Sequence, residues 1–279
     1  MKAIGKLIFP LLGVLFCACS QNGSDGATGK LVLLASIEPQ SELLRQLAGP
    51  DYEVVTVMDR SADAETFEPT PDKMRKAAKS KVYFSTGVLP FENSIVGSLP
   101  DSVRIVEATD GIDMIYGTHG DSGAPDPHIW TTPANLRKMA WHMAMMLAEL
   151  QPDSLTVYAA RYDALKNSLD SLDQAIRAKL TPAAFGVWHP SLSYFAREYR
   201  LRQCAVGHEH KESSPRQLRD AIDALRAADV RVMFYENEAE RGRVEAIADA
   251  IGARAVEINL MGPDMENELL KAADEISRP

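Results

Sequence analysis

Residues 152–180 read PDSLTVYAARYDALKNSLDSLDQAIRAKL. Leu155, Tyr158, Tyr162, Leu165, Leu169, Leu172 and Ile176 recur at spacings of three and four, which puts them along one stripe of a helix. At about 1.5 Å per residue such a helix runs roughly 42 Å, longer than an ordinary domain helix. Two shorter helices meeting at a kink are the alternative. What flanks this stretch decides the fold. Upstream, 31–37, 52–58, 81–87 and 103–108 are short apolar runs rich in β-branched residues, and 183–189, 201–206, 230–235 and 253–259 repeat the pattern downstream. Helical segments between them open at Thr70-Pro71, Thr132-Pro133 and Ser214-Pro215, each a hydroxyl N-cap before a proline suited to the first helical position. Strand–helix alternation of this kind predicts parallel sheets covered by helices. The expected fold is α/β, with two lobes that each hold a mainly parallel four-stranded sheet and flanking helices. An N-terminal lobe over 31–151 and a C-terminal lobe over 181–279 are joined by the long helix of 152–180, a stiff connector.

The N-terminus carries a different signal. Lys2 and Lys6 form a basic region, and Leu7 to Phe16 form an apolar stretch of ten residues. That is too short to span a bilayer as a helix and suits a signal peptide. Phe16-Cys17-Ala18-Cys19-Ser20 follows, and Ala18 is the small residue a lipoprotein signal peptidase needs before its modified cysteine. Residues 1–18 are expected to be a lipoprotein signal peptide, Cys19 the lipidated residue, and 19–30 a polar, Gly- and Ser-rich tether. The alternative is an ordinary secretory signal. After cleavage and lipidation of Cys19 only Cys204 remains as a free thiol, which rules out an intrachain disulfide. The chain has 279 residues, is 46% hydrophobic and 25% charged, and carries a formal net charge of −9. An acidic body of this kind disfavours nucleic acid and attracts cations over long range. The expected molecule is a monomer held at the cell envelope, on the periplasmic or cell-surface side, by an N-terminal lipid.

In open parallel sheets, ligand-binding groups gather beyond the carboxyl ends of the strands. Glu65 follows the second strand, His128 lies in the loop after the fourth, His189 ends the fifth, and Asn259 ends the last. Two imidazoles and a carboxylate drawn from both halves suit zinc, and also manganese or iron. Each alone is weak evidence for a site, and their shared topological position is what raises them. His208 and His210, in the loop after the sixth strand, form a possible accessory metal site or simply a polar loop leading into the Ser214 cap. His142 lies among Met139, Met143 and Met146, a spacing that indicates core packing rather than a soft-metal site. Glu236 and Glu238, at a strand end, could support the cleft by hydrogen bonds behind the ligands.

Several segments together resemble one family. Ser36-Ile37-Glu38-Pro39, Leu47-Ala48-Gly49 and Ala64-Glu65-Thr66-Phe67-Glu68-Pro69-Thr70-Pro71 are followed by Asp126-Pro127-His128-Ile129-Trp130. Trp188-His189-Pro190-Ser191-Leu192-Ser193-Tyr194-Phe195, then Phe234-Tyr235-Glu236, Ile247-Ala248 and Gly252-Ala253, complete the series. In order and spacing these are similar to the substrate-binding lipoproteins of bacterial zinc and manganese ABC transporters, the cluster A-I (cluster 9) type, over nearly all of 31–278. The resemblance implies two lobes joined by a rigid helix and a metal ion in the cleft, handed to a membrane permease. It carries histidine ligands onto His128 and His189. Members of the family usually have a histidine where this chain has Glu65, and often an Asp where it has Asn259, in Ile258-Asn259-Leu260-Met261. Asn259 offers only a neutral carbonyl oxygen, so water or a second oxygen of Glu65 could take the fourth position. Many zinc-specific members carry a His-rich loop before DPH, whereas Gly117–Asp126 holds only His119. The expected cargo is Zn2+, with Mn2+ or Fe2+ open.

Two other classes compete. Two histidines and a carboxylate also describe a metal-dependent enzyme. The sequence contains no H-E-x-x-H, no G-x-S-x-G and no phosphate-cradling glycine loop, and ligands drawn from two lobes suit capture and release. An adhesin-like lipoprotein with a structural metal would instead hold its ion without exchange and unfold when stripped.

Overall fold

The computed structural model describes residues 30–59, 62, 66–117, 123–207 and 214–279. The first lobe contains β1 (Leu31–Ala35), β2 (Tyr52–Thr56), β3 (Val82–Ser85) and β4 (Arg104–Glu107). They pair in the order β2-β1-β3-β4, all parallel. The second holds β5 (Ala184–Val187), β6 (Arg202–Ala205), β7 (Val232–Tyr235) and β8 (Arg254–Glu257), in the matching order β6-β5-β7-β8, again parallel. All eight expected strands form, each shorter than its apolar run. The run around β1 shows why: Ile37 is fully buried, yet it has left the sheet and stands as the N-cap of the next helix. Hydrophobicity marks burial, and burial continues past the last ladder hydrogen bond.

The helices are α1 (Glu38–Ala48), α2 (Pro71–Ala77), α3 (Glu92–Val96), α4 (Pro133–Leu150), α5 (Leu155–Lys179), α6 (Ser193–Tyr199), α7 (Pro215–Ala227), α8 (Glu238–Ile251) and α9 (Met265–Ser277). The three anticipated caps are made. Thr70, Thr132 and Ser214 accept from the backbone N–H three residues on, with proline at the start of each helix, and Gln217 closes a capping box with Ser214. Met139, Met143 and Met146 are buried core residues of α4, and His142 bonds its Nε2 to the Asp110 carbonyl at 3.0 Å.

The long stretch forms one continuous helix, α5, of 25 residues, roughly 38 Å in length. A 3-10 turn at Pro152–Ser154 precedes it, so Leu155 falls on the first turn and is exposed, outside the stripe expected of it. Tyr158, Leu165, Leu169, Leu172 and Ile176 are buried. α5 packs against α1 and α4 of the first lobe and α9 of the second. Polar ties reinforce both ends. Arg161 donates to the carbonyls of Leu47 and Ala48 at 3.0 and 2.9 Å, beneath Gly49. Gly49 sits at φ +71°, a conformation that favours glycine, and a Cβ there would push aside the Arg161 guanidinium, 2.5 Å away. At the other end Arg177 pairs with Glu198, Tyr199 donates to Asp173 at 2.9 Å, and Lys179 meets Asp274 at 2.6 Å.

One apolar core runs from the first sheet through α4 and α5 to Phe185, Phe195, Leu269 and Ile276 of the second lobe. A smaller one lies between the far face of the second sheet and helices α7 and α8, built on Leu225, Met233, Tyr235, Val244 and Ile247. β7 divides its side chains between them: Val232 and Phe234 enter the shared core, Met233 and Tyr235 the outer one. That is the period-two alternation of a strand covered on both faces. Among the described residues no helix is long and apolar enough to cross a membrane.

Candidate metal centre

His128 lies in the loop between β4 and α4, and His189 two residues past the end of β5. Both therefore lie at the carboxyl edges of their sheets. His128 is buried, 5% exposed, and His189 is half-buried. Their Nε2 atoms face each other at 3.2 Å, with ring centroids 4.9 Å apart. Two nitrogen ligands each about 2.0–2.1 Å from a tetrahedral zinc stand about 3.3 Å apart. The pair already has the spacing of one edge of such a site.

Asp126 explains how His128 is aimed. It is fully buried, and its Oδ1 accepts both the backbone N–H of His128 at 2.9 Å and the ring Nδ1–H at 3.0 Å. A carboxylate can only accept, so the proton sits on Nδ1 and Nε2 keeps its lone pair toward His189. The short D-P-H spacing makes this local loop: Asp126 turns onto the amide two residues ahead, as Asx residues do. Trp130 then donates Nε1–H to the Leu260 carbonyl of the second lobe at 2.8 Å. Thr132 starts α4 immediately afterwards.

Tyr194, the second residue of α6, supplies a further tie. Its hydroxyl accepts from the Ile115 N–H at 3.2 Å and donates to the Asp126 carbonyl at 2.9 Å. Burial pushes its phenol up to about 12, so it is a neutral donor at ordinary pH. Neither Asp126 nor Tyr194 was assigned a role from sequence, although each lies inside a motif quoted for its neighbours. For Asp126 the signal was available, an Asp two residues before a candidate ligand. For Tyr194 it was not, since the contact crosses between lobes.

Asn259 lies two residues past the end of β8 and is exposed. Its Oδ1 accepts the Met261 N–H at 3.3 Å, and its side chain lies where a Cβ on Gly262 would collide with it. The amide is folded onto its own loop, next to the Leu260 carbonyl that Trp130 grips. Glu238 is exposed and pairs with Arg241 at 3.6 Å. The Glu236 N–H donates to Glu240 at 3.0 Å. Glu65, His119, His208, His210 and Cys19 lie outside the described residues, as do the signal peptide and the tether up to residue 29. Among the described residues no three His, Cys, Asp or Glu side chains gather as a set of metal ligands.

A second polar cluster lies at the same edge of the first sheet and was not anticipated. Glu92 is buried and accepts from the Ser36 hydroxyl, the Thr86 amide and hydroxyl at 2.6 and 2.9 Å, and the Leu89 amide at 3.3 Å. Tyr83 shares a hydrogen bond with Ser36 at 2.7 Å. Burial pushes the Glu92 carboxyl above its ordinary range, and the donors around it oppose that shift. The cluster fixes the turns after β1 and β3, the floor under the first lobe's loops.

Comparison with known proteins agrees with this fold. The model of the family described as "ZnuA: Zinc-uptake complex component A periplasmic" matches residues 33–273. A crystal structure of ZnuA superposes with a TM-score of 0.81 at 28% identity, covering 89% of this chain and 98% of that one. The metal ABC transporter substrate-binding lipoprotein FimA of Streptococcus parasanguinis is 23% identical over 270 residues, covering 89% of this chain and 86% of its own length. The high-affinity zinc uptake system protein ZnuA of Bacillus subtilis is 23% identical over 283 residues, covering 93% and 89%. With the match spanning nearly all of both lobes, this chain belongs to the ZnuA family of periplasmic zinc-uptake components.

Proposed function

We propose that this chain is the substrate-binding component of a metal-ion ABC importer, capturing Zn2+, with Mn2+ or Fe2+ as the alternative cargo, and passing it to a membrane permease. The observation that carries this is the facing Nε2 pair of His128 and His189, one from each lobe, already spaced like two ligands of one ion. Glu65 is the third ligand of this reading. Asn259 is the fourth through its carbonyl oxygen, or else water or a second Glu65 oxygen takes that place. His208 and His210 would serve as an accessory site at the rim. The protein acts as a monomer without catalysing a reaction, tethered through a lipid on Cys19 on the extracytoplasmic side.

The mechanism follows from charge and protonation. The acidic body draws in a hydrated cation. The imidazoles displace its water, the first of them with Nδ1 held by Asp126. Ligands from two lobes give release a route, because a small tilt between the lobes lengthens one set of bonds. Family membership favours capture and release over a metal enzyme or a structural metal.

The test is calorimetric titration of the metal-stripped protein with zinc and manganese, repeated on His189→Ala and under acidic conditions. One-to-one zinc binding tighter than about micromolar, lost in the variant and weakened by acid as protons compete for the imidazoles, is the expected result. No binding of either ion would refute the proposal.

A further inference from the structure

Tyr194 completes a structure that neither lobe completes alone. The Asp126 N–H donates to the Ile115 carbonyl at 2.7 Å. In an antiparallel pair the reciprocal bond would run from the Ile115 N–H to the Asp126 carbonyl. Here the Tyr194 hydroxyl occupies that rung, accepting from Ile115 and donating to Asp126. An antiparallel bridge between Tyr116 and Pro125 continues the pairing outward. The phenol is thus built into the base of the loop that ends in Asp126, and Asp126 in turn holds Nδ1 of His128. Arg197, one turn further along α6, lies over the Tyr194 ring at 5.2 Å and donates to the Asp113 carbonyl at 2.6 Å and its carboxylate at 3.3 Å. His189 lies five residues before Tyr194 on the same lobe.

We infer that Tyr194 is a positioning residue for the metal: through Asp126 it fixes His128, a first-lobe residue, to the segment of the second lobe that carries His189. The inference rests on the metal-capture reading of that histidine pair. The segment 126–130 belongs to the first lobe by sequence, yet the second lobe grips it at both ends, by Tyr194 at Asp126 and by the Leu260 carbonyl at Trp130. These contacts couple His128 to the lobe that carries His189.

The test is Tyr194→Phe, which keeps the ring under Arg197 and removes only the hydroxyl. Zinc dissociation into excess chelator is followed by stopped flow for the wild type, Tyr194→Phe, Arg197→Ala and Tyr199→Phe. Tyr199 is the control, a buried tyrosine on the same helix whose hydroxyl bonds Asp173, away from the histidines. Loss of a group that orients a ligand from behind costs about tenfold or more in metal affinity. Tyr194→Phe is expected to speed zinc release about tenfold, Arg197→Ala to act less strongly in the same direction, and Tyr199→Phe to leave release unchanged. The visible spectrum of the cobalt-substituted protein should shift in Tyr194→Phe and not in Tyr199→Phe. Release and spectra unchanged in Tyr194→Phe, with a wild type that binds zinc, would overturn this inference alone. A wild type that binds no metal would overturn the metal reading and this inference with it.

Discussion

Replacing Asp126 by Asn tests the aiming of His128 with a change of one atom. The side chain is fully buried and its Oδ1 serves two N–H groups of the same histidine, the backbone amide and Nδ1. The backbone bond is the same whether or not metal is bound, so its weakening lowers stability without touching affinity. The Nδ1 bond differs. As an ion withdraws electrons from Nε2, Nδ1–H becomes a stronger donor, and a carboxylate answers that change more than a carboxamide does. A hydrogen bond to a charged group contributes about 1.5–3 kcal/mol, against about 0.5–1.5 for a neutral one. The difference, near 1.4 kcal/mol, is about tenfold in dissociation constant. If the Asn amide turns its NH2 toward the ring, it selects the opposite tautomer, with the proton on Nε2 facing His189, and the loss moves toward a hundredfold. Competition titration against a chromophoric zinc chelator near neutral pH reads this directly, with thermal unfolding of the apo protein alongside to separate stability from affinity. A dissociation constant within about twofold of the wild type, when His189→Ala abolishes binding, would show that Asp126 does not set the ligand's electronics.

Two further outcomes concern the scaffold. Leu169→Ala, at a fully buried position in the middle of α5, should cost about 2–5 kcal/mol in urea unfolding; a change below about 1 kcal/mol would mean the helix is not part of the core. Burial pushes the Cys204 thiol above its ordinary value. A group held neutral in this way contributes stability below the unfolded thiol's pKa, and that contribution fades as pH rises through the folded value. Iodoacetamide labelling followed by mass spectrometry should therefore be slower at mildly alkaline pH in the folded protein than in urea, and equal rates would refute the burial argument.

Much of the fold was readable because its signals are local. Apolar runs of strand length, three hydroxyl–proline caps and one long heptad-like stripe each have a cause within a few residues, and all of them appear in the molecule. The strand ends ran too long because residues such as Ile37 stay buried after the sheet has ended. Leu155 was misplaced because the turn before α5 shifts where packing begins. Strand-end topology put His128 and His189 at the same edges of their sheets, and their Nε2 atoms lie 3.2 Å apart. The roles of Asp126 and Tyr194 depend on side-chain torsions and on contacts between segments 68 residues apart, which periodicity does not report. Asn259 shows the same limit: periodicity does not report that its carbonyl accepts a neighbouring amide.

The two cores differ in what they span, and this bears on local unfolding. The larger core ties both sheets to α5, so opening it means opening the whole molecule at once. The smaller one involves only the outer face of the second sheet and helices α7 and α8. That layer can come loose as a separate cooperative unit at a free energy below the global value. β5, which leads into His189, keeps Phe185 and Val187 in the larger core. Backbone amides of α7 and α8 can then exchange with solvent through sub-global openings while the histidine pair stays in register, and the outer helices become the part of the protein free to be lost and regained without releasing what the cleft holds.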